Sequence, residues 1–170
     1  MTDERIGERL WEAIDRLPIH DGGIVFRHYE TTAHLRAELA RRVADLCRRR
    51  SLALAIAVDV ELARALGADL VHNPEERTDD MPFSRAVHSL DEANAAKSDG
   101  ASLVFVSPIF PTRSHPRRKP LDRALAAQIA KASGTPAIAL GGMNAFRWTQ
   151  LEREVFHGWA GIDAWLRSPA

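Results

Sequence analysis

The chain has 170 residues, 45% of them hydrophobic and 27% charged, which predicts one globular domain able to bury about two-thirds of its unfolded surface. Lysine plus arginine and aspartate plus glutamate balance at 23 each, so no overall basic field favours a nucleic acid or an anionic membrane as a partner. The longest apolar run, residues 52–58, is too short to span a bilayer, and the opening residues lack the features of a signal peptide. We therefore predict a cytoplasmic protein in which any anion site is local.

Two kinds of apolar pattern alternate along the chain. Helical spacing occurs in four sets of apolar residues, which are Ile6/Leu10/Ile14/Leu17, Leu35/Leu39/Val43/Leu46, Leu121/Leu125/Ile129 and Trp148/Leu151/Val155. Seven short apolar runs of strand type complete the pattern, at residues 24–26, 52–58, 70–71, 86–87, 103–106, 137–140 and 160–162. This alternation predicts an α/β fold with right-handed crossovers and a parallel sheet, either closed as a barrel or open and doubly wound.

A weak internal repeat favours a succession of similar βα units. LGADLV at residues 66–71 and DGASLV at 99–104 share a glycine, a small residue and then an apolar run, and GWAGI at 158–162 is similar. A glycine at each of these joints predicts a helix that ends in a left-handed backbone conformation. The seven predicted strands are one fewer than a (β/α)8 barrel requires, and the chain opens directly on a predicted helix.

Polar residues follow almost every predicted strand. In parallel α/β folds the ligand binds at the carboxyl ends of the strands, so these residues are the candidates for a functional site. They are Arg27, His28, Tyr29, Asp59, His72, Asn73, Glu75, Glu76, His88, Ser89, Ser107, Thr112, Ser114, Gly141, Gly142, Met143 and Asp163.

Two of these segments together supply the donors that a phosphate requires. SPIFPTRS at residues 107–114 offers hydroxyls and is followed by the basic run at 117–119. ALGGM at residues 139–143 contains adjacent glycines, which let backbone N–H groups approach a ligand, and Asn144 is suited to cap a following helix. The pair predicts a phosphate site. Taken singly, the glycines are also compatible with an ordinary turn and the basic run with a solvated loop.

The same two segments resemble a known family. VSPIFPTRS at residues 106–114 and TPAIALGGM at 135–143 are similar to the motifs G-P-I-F-x-T-x-(T/S)-K and I-P-V-(I/V)-A-I-G-G-(I/M) of the thiamine phosphate synthase/TenI family. GADLVH at residues 67–72 resembles the family's G-A-D-G-V-H, and AVHSLDEA at 86–93 resembles the S-V-H-S-x-x-E-A form found on the TenI side. The resemblance keeps a consistent order from residue 24 to 162.

The resemblance implies a single TIM barrel domain over residues 1–170 that lacks its first strand, because the Thr-Asp pair near the end of that strand in the family corresponds to Thr2-Asp3. It also implies a site for the phosphate of a hydroxyethylthiazole phosphate. The residues expected to bind the phosphate or the rest of the substrate are Arg27, Ser107, Thr112, Ser114, Gly141, Gly142 and Met143.

The sequence departs from the family at the positions that hold metal and pyrophosphate. Synthases of the family use Mg²⁺ to neutralise a departing pyrophosphate, which requires hard oxygen ligands and nearby cations. Here Val58 and Arg77 stand at the two metal positions, and His115 replaces a lysine. Only Asp59 and Glu76 remain as weak candidates for metal ligands. We therefore predict no cofactor, with Mg²⁺ needed only if the chain is a synthase.

His88 corresponds to the histidine that moves protons on a thiazole carboxylate phosphate in TenI-type tautomerases. Histidine suits this chemistry because its side chain donates and accepts protons near neutral pH. SLDE at residues 89–92 predicts a capping box that starts a helix directly after His88. A histidine at the end of a buried strand can instead serve only to bond a neighbouring carbonyl, and the sequence leaves that role open.

Three functions are compatible with a chain that binds a small heteroaromatic phosphate. A tautomerase-like enzyme would use His88 and the phosphate loops without a metal. An authentic synthase would use Mg²⁺ to join a pyrimidine pyrophosphate to a thiazole phosphate. A non-catalytic binding or regulatory homologue would need the loops alone. The expected partner is a small molecule, with neither nucleic acid nor membrane, and a homo-oligomer is compatible with the sequence.

Overall fold

The computed structural model of the chain describes residues 1–114, 116–151 and 154–166. Its internal contacts divide into two compact units. The first runs from Met1 to Phe83 and takes in Trp165 near the end of the described chain, and the second is Ser84–Ala164. Both units are built from parallel strands connected through helices, so the predicted α/β class is confirmed.

The first unit contains three parallel strands that pair in chain order, namely β1 (Gly23–Phe26), β2 (Ala53–Ala57) and β3 (Leu70–His72). A 3₁₀ helix at Glu4–Arg9 precedes the three α-helices of the unit, α1 (Leu10–Asp15), α2 (Ala33–Arg50) and α3 (Val60–Leu66). Phe26 and Ile56 are fully buried in this sheet, and Val43 of α2 is fully buried as well. The apolar runs thus form strands because helices shield them from water.

The beginning of the chain lies beside β1. The N–H of Thr2 donates to the carbonyl of Val25 at 2.9 Å, and the Thr2 hydroxyl accepts from the N–H of Arg27 at 2.9 Å. Thr2 therefore lies against the carboxyl end of β1. The strands of the described residues number seven, as predicted.

Four further parallel strands also pair in chain order, namely β4 (Phe83–Val87), β5 (Leu103–Val106), β6 (Ala137–Ala139) and β7 (Gly158–Trp159). Apart from Phe83 they belong to the second unit. Its helices are α4 (Leu90–Ser98), α5 (Arg123–Ala132) and α6 (Ala145–Trp148), and a 3₁₀ helix follows at Asp163–Trp165. Alanines are buried on α4 and α5, which contact each other.

Two predictions about the end of the chain are wrong. The helix predicted from Trp148 to Val155 ends at Trp148, where the hydroxyl of Thr149 donates to the carbonyl of Phe146 at 2.8 Å. The strand predicted at residues 160–162 is β7 at Gly158–Trp159, because its flanking N–H groups pair with carbonyls of β6. Gly158 therefore begins a strand, whereas Gly67 and Gly100 follow helices with φ of 62° and 79°, as the repeat predicts.

None of the helices in the described ranges is both long enough and apolar enough to cross a membrane.

Candidate functional site

The loop after β5 lies against the turn after β6. The N–H of Ile109 donates to the carbonyl of Leu140 at 2.9 Å, and the N–H of Phe110 donates to the carbonyl of Gly141 at 3.0 Å. Two residues along the loop, Thr112 is half-buried. The two segments that the sequence singled out for a phosphate are therefore in direct contact.

This contact requires the two glycines. Gly141 and Gly142 have φ of 93° and 61°, in the left-handed region that favours glycine. A Cβ on Gly141 would lie 2.7 Å from the Cα of Pro108, and one on Gly142 would lie 2.4 Å from the carbonyl oxygen of Pro111. Both distances are too short for any side chain. The close approach of the turn to the loop therefore requires glycine at both positions.

Arg147, which the sequence analysis missed, holds the same turn. Its Nη1 donates to the carbonyl of Gly142, and its guanidinium carbon lies 4.9 Å from the centre of the Phe110 ring. The only available sequence signal was the spacing from Asn144, whose side chain caps α6 by accepting from the N–H of Arg147 at 2.8 Å. Residue three of a helix points back over the segment that precedes it. The cap is as predicted, but α6 has four residues and so contributes little dipole.

The carbonyls of Leu140, Gly141 and Gly142 thus each accept a hydrogen bond. These bonds fix the direction of the N–H group that follows each carbonyl. The donors come from Ile109, Phe110 and Arg147. In a planar trans peptide the C=O and the following N–H point in opposite directions. The N–H groups of residues 141–143 therefore point away from the loop and from Arg147. Within the described ranges none of these three N–H groups has an acceptor, and successive N–H groups of this kind suit an anion.

The loop that contacts this turn carries three hydroxyls, those of Ser107, Thr112 and Ser114. The Thr112 oxygen accepts from the N–H of Ser114 at 3.3 Å, which leaves the hydroxyl hydrogen of Thr112 to donate. Ser114 is half-buried, and Ser107 at the start of the loop is buried. The replaced lysine, His115, lies outside the described residues.

The arginines predicted to supply charge have other surroundings. Arg113 forms an ion pair with Asp163, whose Oδ2 lies 3.0 Å from Nε and 2.8 Å from Nη2. This pair ties the loop to the segment after β7. The basic run at 117–119 is exposed, so its charge acts through solvent and weakens with salt.

His88 lies between β4 and α4, and its ring is tied to Ser107. Its Nδ1 is 2.6 Å from the carbonyl oxygen of Ser107 and 3.2 Å from that residue's hydroxyl oxygen. Since a carbonyl can only accept, Nδ1 carries a proton, and in the neutral ring Nε2 carries the lone pair. The bond to a carbonyl that the sequence left open is thus present, and it leaves Nε2 available for chemistry.

The predicted capping box holds the backbone on both sides of this histidine. The Ser89 hydroxyl accepts from the N–H of Glu92 at 3.1 Å, and the Glu92 carboxylate accepts from the N–H of His88 at 2.6 Å. The glutamate reaches one residue further back than in the usual capping box, whose acceptor serves the cap residue itself. The backbone of His88 is consequently fixed at the start of α4.

The remaining candidate residues belong to the first unit. The guanidinium carbon of Arg27 lies 5.4 Å from the centre of the Tyr29 ring. Asp59 caps α3 by accepting from the N–H of Leu62 at 2.8 Å, and its other oxygen lies 3.0 Å from Nη1 of Arg36. These partners give Asp59 a structural role.

The donor set does not fit a magnesium ion. Mg²⁺ binds through carboxylates at octahedral geometry, yet the two positions that the resemblance assigns to metal ligands are Val58 and Arg77, and both oxygens of Asp59 have partners. Glu76 is exposed. Across residues 1–114, 116–151 and 154–166, no three His, Cys, Asp or Glu side chains are grouped to hold a metal.

His28, at the end of β1, is a buried titratable group. Its Nδ1 lies 3.0 Å from the Thr2 hydroxyl, and its ring stacks on Phe26 with centroids 4.6 Å apart. Burial lowers the pKa of His28, and the Arg36 guanidinium acts in the same direction, whereas the carboxylates of Glu4 and Asp3 raise it. The net direction is downward, so the neutral ring is favoured.

Comparison with known proteins decides the family. The family model for thiamine monophosphate synthase matches residues 2–165. The chain belongs to the thiamine monophosphate synthase family. The predicted family is therefore confirmed, and this family belongs to thiamine biosynthesis.

Individual relatives agree with this assignment. The chain is 30% identical to thiamine-phosphate synthase of Chloroflexus aurantiacus, with 92% of the chain and 78% of that protein covered. It is 29% identical to the thiamine biosynthesis bifunctional protein ThiM/ThiE of Symbiobacterium thermophilum, with 86% of the chain but only 33% of that longer protein covered. Among solved structures, thiamine phosphate pyrophosphorylase from Pyrococcus furiosus superimposes with a TM-score of 0.83 at 22% identity, covering 98% of this chain and 85% of that one. At that identity the superposition establishes a common fold.

Proposed function

We propose that this thiamine monophosphate synthase family member binds a small heteroaromatic phosphate at the turn of residues 141–143 and moves a proton on the bound ring with His88, as a thiazole tautomerase does. The observation that supports this most strongly is the turn itself, whose three N–H groups point away from bonded carbonyls and have no acceptor within the described chain. Phosphate oxygens accept several such bonds at once.

The phosphate accounts for binding and orientation. The N–H groups of residues 141–143 take two or three phosphate oxygens, and the hydroxyls of Thr112 and Ser114 complete the set from the facing loop. Ser107 is a proposed contact to the rest of the substrate. A hydrogen bond to a charged group contributes about 1.5–3 kcal/mol, so four or five of them hold a small ligand in one orientation.

The proton transfer is the work of Nε2 of His88. With Nδ1 donating to Ser107, Nε2 removes a proton from the sp³ carbon of the non-aromatic ring, the exocyclic double bond moves into the ring, and the resulting imidazolium returns a proton to the exocyclic carbon. The substrate changes only in the position of a hydrogen and a double bond. No oxidant, leaving group or metal is therefore required.

A second candidate, the metal-dependent synthase, is favoured by the names of the similar proteins from Chloroflexus aurantiacus and Pyrococcus furiosus. It would need Mg²⁺ for the departing pyrophosphate, and the poor fit of Val58, Arg77 and Asp59 to that ion weighs against it. A binding protein without turnover is the third outcome.

One assay with three arms separates these functions. Purified chain is supplied with a thiazole carboxylate phosphate in EDTA, and isomerisation to the aromatic form is followed by ultraviolet absorbance. The same chain is then supplied with pyrimidine pyrophosphate and thiazole phosphate, with and without Mg²⁺. We expect isomerisation in EDTA and no coupling. Coupling that requires Mg²⁺ would establish the synthase, and calorimetric binding without either reaction would establish the binding protein.

A further inference from the structure

We infer that Arg147 is a positioning residue, which aims the N–H of Met143 at the phosphate by holding the carbonyl of Gly142. This inference rests on the proposed function, since it assigns a role within the same anion site. It concerns a side chain that the sequence motifs of the site do not contain.

The geometry begins with the Gly142–Met143 peptide. This peptide is not among the cis bonds of the chain, so its C=O and its N–H point in opposite directions. Nη1 of Arg147 donates to that carbonyl from the side of the helix. The Met143 N–H therefore faces the other side, together with the N–H groups of the two glycines.

A peptide that follows glycine needs such a restraint. Glycine occupies a wide range of backbone conformations, so the peptide after Gly142 can rotate and exchange the positions of its C=O and N–H. A carbonyl turned toward the ligand would repel a phosphate. The preceding two carbonyls are held by backbone N–H groups of the facing loop, whereas the third is held by a side chain.

The guanidinium itself is held in place by two contacts. Its Cζ lies over the Phe110 ring, 4.9 Å from the ring centre, and the backbone N–H of Arg147 donates to the side-chain oxygen of Asn144 at 2.8 Å. Phe110 in turn donates to the carbonyl of Gly141. Loop, turn and helix thus form one closed set of contacts, in which Arg147 contacts the Gly142–Met143 peptide.

Two substitutions distinguish positioning from direct charge attraction. Arg147→Met keeps a long side chain over Phe110 but has no donor, and Arg147→Gln keeps an amide donor but has no charge. The probe is hydroxyethylthiazole phosphate measured by calorimetry against the same thiazole without phosphate, so that the difference reports the phosphate site alone. Arg123→Met is the matched control, because Nη1 of Arg123 also donates to a carbonyl, that of Gln150, at 3.3 Å, away from the turn.

We expect Arg147→Met to weaken binding of the phosphate form roughly 10-fold, with no change for the phosphate-free thiazole. Arg147→Gln should lose much less affinity for the phosphate form, and Arg123→Met should bind it as tightly as the parent protein. In ¹⁵N spectra of the parent protein, the Met143 amide should shift strongly on addition of the thiazole phosphate, and this shift should be lost in Arg147→Met. The amide shift tests positioning directly, since a purely structural arginine would not change it selectively.

The possible failures are distinguishable. Equal affinity of the parent protein for the two thiazoles would overturn the proposed phosphate site itself. Phosphate-dependent binding in the parent that is unchanged in Arg147→Met would overturn the inference about Arg147 and leave the site. Equal losses in Arg147→Met and Arg147→Gln, both reduced by salt, would make Arg147 a direct charge partner and also overturn positioning. If Arg147→Met does not fold, Arg147→Ala, which also lacks the donor, takes its place in the calorimetry and in the test of the Met143 amide.

Discussion

Nδ1 of His88 lies 2.6 Å from the carbonyl oxygen of Ser107, and this bond joins the end of β4 to the start of the loop that carries Thr112. The bond fixes both the orientation of the ring and the nitrogen that carries the proton. Because Ser107 is the first residue of the loop and Ile109 bonds the turn after β6, the histidine and the anion site are connected through three residues of backbone.

We expect His88→Gln to lower the isomerisation rate about 10²–10⁴-fold, which is the usual contribution of a placed acid or base. Affinity for the thiazole phosphate should stay nearly constant, because the turn and the loop hydroxyls are unchanged. Initial rates and calorimetry on the same preparations test the two halves of this prediction. His157→Gln, an exposed histidine in the same unit, serves as the control and should match the parent.

Unchanged isomerisation in His88→Gln would make His88 structural. The tautomer offers a separate test, since ¹⁵N correlation spectra of the imidazole should show a protonated Nδ1 and an unprotonated Nε2 in the neutral ring.

Thr112→Val should weaken binding of the thiazole phosphate roughly 10- to 100-fold, because the substitution removes a hydroxyl donor to a charged group. It also removes the acceptor for the N–H of Ser114. Thr135→Val is the matched control, since it deletes a similar bond, 2.8 Å to the carbonyl of Ser102, elsewhere in the unit. Calorimetry that finds equal affinity in both variants would move the phosphate site away from the loop.

Gly142→Ala should destabilise the protein and abolish phosphate-dependent binding. A methyl group there would lie 2.4 Å from the Pro111 carbonyl oxygen, so the turn must move away from the loop. Gly100→Ala imposes the same kind of left-handed strain at φ 79° with nothing within 4 Å of the new methyl. We expect the control to cost about 1 kcal/mol in chemical denaturation and Gly142→Ala to cost more. If Gly142→Ala and Gly100→Ala lose the same free energy of unfolding, the contact between turn and loop does not contribute to stability.

The sequence predicted the strands, the loop and the turn better than it predicted their connections. Residues 103–106 and the adjacent glycines could be recognised because apolar runs and glycine pairs have local causes. Arg147 could not, because its role depends on the distance between a helix side chain and a carbonyl that only folding brings together. The ion pair of Arg113 with Asp163 joins residues 50 positions apart, and β7 is set by pairing with β6 rather than by its own short apolar run.

Mg²⁺ should not raise the melting temperature of the protein. Val58 and Arg77 stand where the family resemblance expects metal-binding carboxylates, and an ion that does not bind the folded chain does not stabilise it. Asp59→Ala should cost about 1 kcal/mol by removing the cap of α3, and Asp59→Asn less, since asparagine also caps. Both costs should be the same with and without millimolar Mg²⁺ in thermal melts. A Mg²⁺-dependent rise in the parent that Asp59→Asn or Glu76→Gln abolishes would support the synthase instead.

The free energy of unfolding should fall as the pH is lowered through the range in which His28 is protonated only when unfolded. Burial lowers the pKa of His28 below its ordinary value of 6.5, so below that value the unfolded chain binds a proton that the folded chain does not. Stability rises with pH wherever the unfolded state binds more protons. The loss therefore begins as the pH drops past about 6.5 and levels off once the folded ring is also protonated.

His28→Gln should flatten this part of the curve of unfolding free energy against pH, because glutamine does not titrate. It should also lower stability at pH 8, where the neutral histidine still bonds the Thr2 hydroxyl and stacks on Phe26. His34→Gln provides the control and should keep the slope of the parent, because His34 is exposed on α2. Urea titrations at a series of pH values measure all three proteins. The explanation fails if the unfolding free energies of the parent and His28→Gln depend on pH with the same slope below pH 6.5, since the proton uptake would then belong to another group.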